Sequence, residues 1–337
     1  MILFRNIQRI DLAACLCALI IHPVIAQSDL AQNSPPIVQV VLPLDYHQKH
    51  LFVTLQDDQL GPLQFMLDTG AEKTYLFLPT AKRGKIDKRF FDHFVSINGF
   101  GDGSTKPLGH VSLSLHAQAT KLLDLDAGVM DSSAAQLGMT HPMDGILGWD
   151  FFQKWCVRLD YGMGEMRITD PAHCSKPEGK SLTFTQKWTD EGLLLPLVLS
   201  LSNGRSLHLQ LHLDTGTDGT MLLNPRLRTQ AGLENSSDAS ANTGRGMNGS
   251  YATDVLEAKD LAAEDGHPKW SGGTMTVAIG RPGSFSKPHW FLDGPGEAAI
   301  NHDGVIGNSL LEYFTLTFDP SKKQLYGEAN THRAKQP

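Results

Sequence analysis

The chain has 337 residues, of which 41% are apolar and 19% charged, and its formal net charge is −7. That length suits two domains of roughly 150 residues, each apolar enough for its own core. The acidic balance, without a basic stripe, excludes nonspecific nucleic-acid binding as a main activity.

Residues 1–26 read as a secretory signal. Arg5 and Arg9 give a positive start, residues 12–21 are apolar, and Val24-Ile25-Ala26 places small residues for cleavage after Ala26. The apolar run is too short to span a bilayer, so no stable membrane insertion is expected after cleavage. Leu12-Ala13-Ala14-Cys15 has the look of a lipoprotein box, but the apolar run follows this cysteine instead of preceding it. The expected location is outside the cytoplasm, in a bacterial periplasm or secreted. Residues 27–37, with Pro35-Pro36, read as a flexible lead-in.

From residue 38 the strand signals are dense. Val40-Val41-Leu42-Pro43-Leu44 and Leu51-Phe52-Val53-Thr54-Leu55 are apolar and β-branched. A turn over residues 57–62 leads into Leu63-Gln64-Phe65-Met66-Leu67, and Asp68-Thr69-Gly70 follows. Some thirty residues on, Asn98-Gly99-Phe100-Gly101-Asp102-Gly103 reads as a flap closing over substrate or as an ordinary hairpin tip. Phe151 to Trp155 suggests one helical turn, and residues 156–160 and 165–169 a hairpin.

Without the signal, two cysteines remain, Cys156 and Cys174. In an exported chain an even pair reads as one disulfide, here stapling the end of the first lobe. Residues 171–190, punctuated by Pro171, Pro177 and Gly179, read as a linker between lobes at 38–170 and 191–330, with a tail at 331–337. In the second lobe, Leu197-Val198-Leu199-Ser200-Leu201 faces residues 207–213 across Ser202-Asn203-Gly204-Arg205, and Asn-Gly is a strong hairpin signal. Asp214-Thr215-Gly216 follows. Asn224-Pro225, with Gly232 behind, gives a short helix its cap, first residue and stop. Gly244-Arg245-Gly246-Met247-Asn248-Gly249 is a second candidate flap.

The two halves match each other. Subtracting 146 places Asp214 on Asp68 and Pro225 on Pro79. Subtracting 159 places Asp303-Gly304-Val305-Ile306-Gly307 on Asp144-Gly145-Ile146-Leu147-Gly148, and Phe318-Asp319 on Leu159-Asp160. A repeat this long is a duplicated half-domain, not a solenoid unit.

With both motif sets present, residues 38–327 resemble the aspartic proteases, as two retropepsin-type half-domains fused head to tail. The family pattern is two apolar residues, Asp-Thr-Gly and a small residue, then apolar-apolar-Gly. Here these are Met66 to Ala71 with Ile146-Leu147-Gly148, and His212 to Thr217 with Val305-Ile306-Gly307. His212 departs from the pattern. The resemblance implies a mainly β, bilobal acid-protease fold, with two homologous six-stranded-barrel-like lobes around an active-site cleft. It implies an aspartic-type endopeptidase that activates water with Asp68 and Asp214 and needs no cofactor. Thr69 and Thr215 would lock the two loops together, and Gly70 and Gly216 would let them turn. Substrate would meet Ala71, Glu72, Thr217, Asp218, Gly99, Phe100 and Gly101, with Glu72 and Asp218 equally readable as solvated loop acids. The partner is a peptide or protein, and one chain supplies both aspartates, so a monomer is expected. The alternative is a catalytically silent peptide-binding protein on the same scaffold.

No metal pattern occurs among the 14 histidines. His208 and His212 alternate with leucines, which strand geometry explains as one polar face. Asn235-Ser236-Ser237 and Asn248-Gly249-Ser250 are glycosylation sequons only in a eukaryotic context.

Overall fold

A computed structural model of the chain describes residues 39–83, 107–177, 182–184, 186–233, 242–246, 249–264, 269–281 and 302–330. The expected signal, lead-in, Gly99-Phe100-Gly101 flap and tail lie outside the described residues.

The described strands form three sheets. The first, of seven strands, runs Asp45–His47, His50–Asp57, Gly61–Leu67, Gly145–Leu147, Tyr75–Phe77, Thr120–Met130 and Pro107–Ala117 in spatial order. His50–Asp57 also pairs with Pro107–Ala117, which curls the sheet back on itself. The second sheet repeats this with eight strands: Lys187–Trp188, Leu193–Leu201, Ser206–Leu213, Gly304–Ile306, Met221–Leu223, Lys269–Gly280, Gly249–Ala263 and Asn242–Gly246. Leu193–Leu201 closes it by pairing with Gly249–Ala263. The fold is therefore mainly β with two barrel-like lobes.

The third sheet takes strands from both halves. Its six run Gln39–Pro43, Glu165–Thr169, Cys156–Asp160, Phe314–Asp319, Gln324–Ala329 and Leu182–Thr183. Residues 171–190 thus contribute the edge strand Leu182–Thr183, paired with Gln324–Ala329, as well as Lys187–Trp188 in the second sheet. Over this sheet Trp149 packs on Trp188 with ring centroids 4.7 Å apart, and Phe152 on Phe318 at 5.1 Å. Trp149, Phe152 and Phe318 are wholly buried, each worth about 2–3 kcal/mol in removed apolar surface.

Local signals explain the elements. Asn203-Gly204 turns one hairpin, with Gly204 in the left-handed region at φ +86°. The Asn224 side chain accepts from the Arg226 amide at 2.9 Å, and Gly232 ends the following turn at φ +86°. Cys156 and Cys174 form the expected disulfide, with Cα atoms 5.5 Å apart. The helical turn expected from Phe151 begins earlier, over Trp149–Phe152. Its first amides are held by loop carbonyls, Trp149 N to Ala71 O at 2.7 Å and Asp150 N to Glu72 O at 3.2 Å.

The histidine reading needs correction. His208 is exposed, but His212 is buried, because Ser206–Leu213 passes from the sheet edge into the lobe, flanked there by Leu193–Leu201 and Gly304–Ile306.

Candidate active site

Each Asp-Thr-Gly loop hangs from two strands running side by side. Gly61–Leu67 pairs in parallel with Gly145–Leu147, and Ser206–Leu213 with Gly304–Ile306. The strand ends hold the aspartates: Asp68 N donates to Leu147 O at 3.0 Å, and Asp214 N to Ile306 O at 3.0 Å. The apolar-apolar-Gly segments end in glycine because backbone passes overhead. A Cβ on Gly148 would lie 2.3 Å from the Lys73 carbonyl carbon, and one on Gly307 2.5 Å from Gly219 O.

The threonines join the loops reciprocally. Thr69 Oγ1 donates to Leu213 O at 2.9 Å and accepts from Thr215 N at 3.1 Å. Thr215 Oγ1 donates to Leu67 O at 2.9 Å and accepts from Thr69 N at 3.0 Å. Both threonines have no exposed surface, so these four bonds form in a dry environment. Asn308 adds a brace: its amide donates to Thr215 O at 2.6 Å and its Oδ1 accepts from Tyr161 at 2.7 Å.

The glycines make room for the opposite carboxylate. A Cβ on Gly70 would lie 2.5 Å from Asp214 Cγ, and one on Gly216 2.4 Å from Asp68 Cγ. Each carboxyl therefore sits over the other loop's glycine, and the two share a hydrogen bond. Asp68 Oδ1 accepts from Gly70 N and Ala71 N, both at 3.0 Å. Asp214 Oδ1 accepts from Gly216 N at 2.7 Å, while its Oδ2 accepts from the Thr217 hydroxyl at 2.7 Å. The loops thus differ at the residue after the glycine: Ala71 gives Asp68 its amide, whereas Thr217 gives Asp214 its hydroxyl.

That difference carries into the electrostatics. Burial holds Asp68 well above the usual carboxylate range, with the Asp214 charge and the shared hydrogen bond adding to it. Burial raises Asp214 too, but hydrogen bonds from Thr217, Gly216 and Asp68, and the nearby His50, oppose it. One proton shared by two buried carboxyls is the state these forces favour.

A scan of protein-family models finds none that matches, and a search of curated proteins finds no match. Among solved structures, the chain is similar to the aspartic proteinase from Irpex lacteus, at 13% identity and a TM-score of 0.53. The alignment covers 88% of this chain and 99% of that one. The chain has the aspartic proteinase fold. Its two lobes correspond to the two halves of that architecture, and the paired loops described above lie where the halves meet.

Glu72 and Asp218 follow Ala71 and Thr217 in the two loops with exposed side chains, and Asp218 O accepts from Ser309 Oγ at 2.7 Å. Residues 242–246 and 249–263 do form a hairpin, with Gly244 opposite Tyr251. The Tyr251 ring crosses Gly244 so closely that a Cβ there would meet Cζ at 2.2 Å. Burial, then the charges of Asp218 and Asp214, push the Tyr251 hydroxyl up to about 12. Sequence reading noticed the glycines and missed the tyrosine. It also missed His50 and Asn308, which no motif marks. Among the described residues no three His, Cys, Asp or Glu side chains are placed to hold a metal ion, and no helix is long and apolar enough to cross a membrane.

Proposed function

We propose that this protein is an exported aspartic endopeptidase in which Asp68 and Asp214 together hydrolyse a peptide bond. The observation that carries the reading is the pair of buried carboxyls, each lodged over the opposing glycine and joined by one hydrogen bond. Two carboxyls that close cannot both ionise readily, and aspartic protease dyads are the standing example of this effect. Asp214, with both oxygens receiving hydrogen bonds, suits the ionised role; Asp68, whose Oδ1 takes both amide bonds, suits carrying the proton on Oδ2.

In the reaction Asp214 takes a proton from water as it attacks the scissile carbonyl carbon, and Asp68 hydrogen-bonds the carbonyl oxygen. Collapse of the tetrahedral intermediate breaks the C–N bond, and the proton gained by Asp214 passes to the leaving amine. The grip of Thr69 and Thr215 keeps the loops in register, which matters because small misplacements of catalytic groups lower rates steeply. The hairpin bearing Tyr251 would cover an extended peptide and exclude water. The Cys156–Cys174 disulfide supports an oxidising compartment and hence export.

The test is cleavage of a mixed peptide library from about pH 3 to about 7.5, where carboxyl pairs titrate. Wild type is compared with Asp68→Asn and Asp214→Asn, and circular dichroism checks folding. Cleavage by wild type and none by either folded variant is expected. A folded wild type that cuts nothing across the range rules the proposal out.

A further inference from the structure

The hairpin between Asp45–His47 and His50–Asp57 turns on two residues, Gln48 and Lys49. Both lie in the left-handed region, at φ +49° and +64°. Two-residue hairpins of this hand normally use Asn-Gly, since other side chains are strained there. The strain is held by contacts on every side. Gln48 Oε1 accepts from Thr140 N at 2.8 Å and Thr140 Oγ1 at 2.9 Å. Lys49 Nζ donates to both Glu312 oxygens, at 2.9 and 2.8 Å, and Tyr46 donates to the same carboxylate at 2.7 Å. Glu312 follows the helix Asn308–Leu311 of the other half, so the tip is anchored across the lobes.

The turn delivers His50 to the second catalytic loop. His50 Nδ1 lies 2.7 Å from Gln48 O, and Nε2 lies 3.1 Å from Gly216 O. Both partners are backbone carbonyls, which only accept. A neutral imidazole has one N–H and would leave one contact between two acceptors; only the imidazolium donates to both. Gly216 is also the residue whose amide holds Asp214 Oδ1.

We infer that His50 is a positioning residue for Asp214: as an imidazolium it grips the Gly216 carbonyl from the opposite lobe and sets a positive charge beside the ionised carboxylate. This rests on the dyad reading above. The titratable and charged groups on the elements around His50 are Asp45, Tyr46, His47, Lys49 and Asp57 on its own hairpin, Glu312 beyond the helix, and Asp68, Glu72, Asp214 and Asp218 on the two loops. Of these, Lys49 is itself paired with Glu312.

Two measurements on the full chain test this. The first is ¹⁵N–¹H correlation of the His50 ring at the pH of greatest activity. Two protonated ring nitrogens are expected, and one bare nitrogen overturns the inference. The second compares wild type with His50→Gln, which keeps a neutral donor for Gly216 O, and His50→Phe, which keeps none. For His50→Gln, kcat falls about tenfold with KM within about twofold, and the acid limb of the pH profile moves up by about one unit. For His50→Phe the loss of kcat is larger. An unmoved limb overturns the inference, including the case in which activity falls only in step with thermal stability. Carboxyl ¹³C titration of Asp68 and Asp214 in wild type and His50→Gln needs no turnover. An upward shift of the lower transition is expected there even if no peptide is cut, and an unchanged titration overturns the inference independently of the peptidase reading.

Discussion

Replacing His212 by methionine should make the protein more tolerant of acid. His212 lies two residues before Asp214, where the first half has the buried Met66. Its ring is buried and among the described residues its Nε2 finds no hydrogen-bond partner. It fits only because residue 192 is glycine: a Cβ there would lie 1.8 Å from Nε2. Burial, with the neighbouring His302 second, depresses its pKa from 6.5 to about 3. The sign follows from which state binds the proton first. As pH falls below about 6.5 the unfolded chain protonates this histidine while the folded one does not, so stability present above that pH is lost on the way down to about 3. At pH 5 the unfolded state has gained about 1.5 pH units of proton binding, or about 2 kcal/mol. His302 is depressed by burial and adds in the same direction, while the raised aspartates act in the opposite one. The difference between wild type and His212→Met isolates the single ring. Urea unfolding at about pH 7.5 and about pH 5 would measure it. The variant should gain about 2 kcal/mol on wild type between the two conditions. Parallel losses in both proteins would refute the reasoning.

Three further outcomes follow from the site and its frame. Gly216→Ala puts a methyl 2.4 Å from Asp68 Cγ, so peptide cleavage should drop at least about a hundredfold while circular dichroism stays native; retained activity would show that the carboxyls can move apart at no loss. Thr217→Ala removes the 2.7 Å hydroxyl bond to Asp214 Oδ2, and the acid limb of kcat/KM should rise by about one pH unit, against no change if that bond does not tune the pair. Replacing both Cys156 and Cys174 by serine opens a loop of sequence separation 18 and should lower unfolding stability by about 3 kcal/mol, read by urea titration; a difference under about 1 kcal/mol would mean that the unfolded chain is barely constrained by the bridge.

What could be read from the sequence was what is encoded locally or twice. The strands flanking Asp68 and Asp214 show as apolar runs ended by Asp-Thr-Gly, and the offsets of 146 and 159 pair the two halves residue by residue. Asn203-Gly204 and the Asn224 cap specify their own turns through short-range hydrogen bonds. The edge strand Leu182–Thr183 carries no signal, because two residues have no periodicity and its pairing comes from Gln324–Ala329, about 140 residues away. His50 was invisible for a similar reason: its partner Gly216 is 166 residues distant, and its turn uses Gln48-Lys49 where a glycine would have announced it. His212 was misread because strand alternation describes one sheet face and is silent on where the strand dives into the lobe.

The six-stranded sheet has a consequence for the order in which this molecule can be completed. Cys156–Asp160 has one neighbour from its own half, Glu165–Thr169, and takes its other from Phe314–Asp319. During synthesis that second edge stays open for some 150 residues of chain growth. Leu182–Thr183 likewise waits for Gln324–Ala329. The sheet that joins the two halves is therefore finished only after residues 314–329 have been made. Any product ending before Phe314 would have its two halves unjoined in this sheet and would present a bare strand edge to its neighbours.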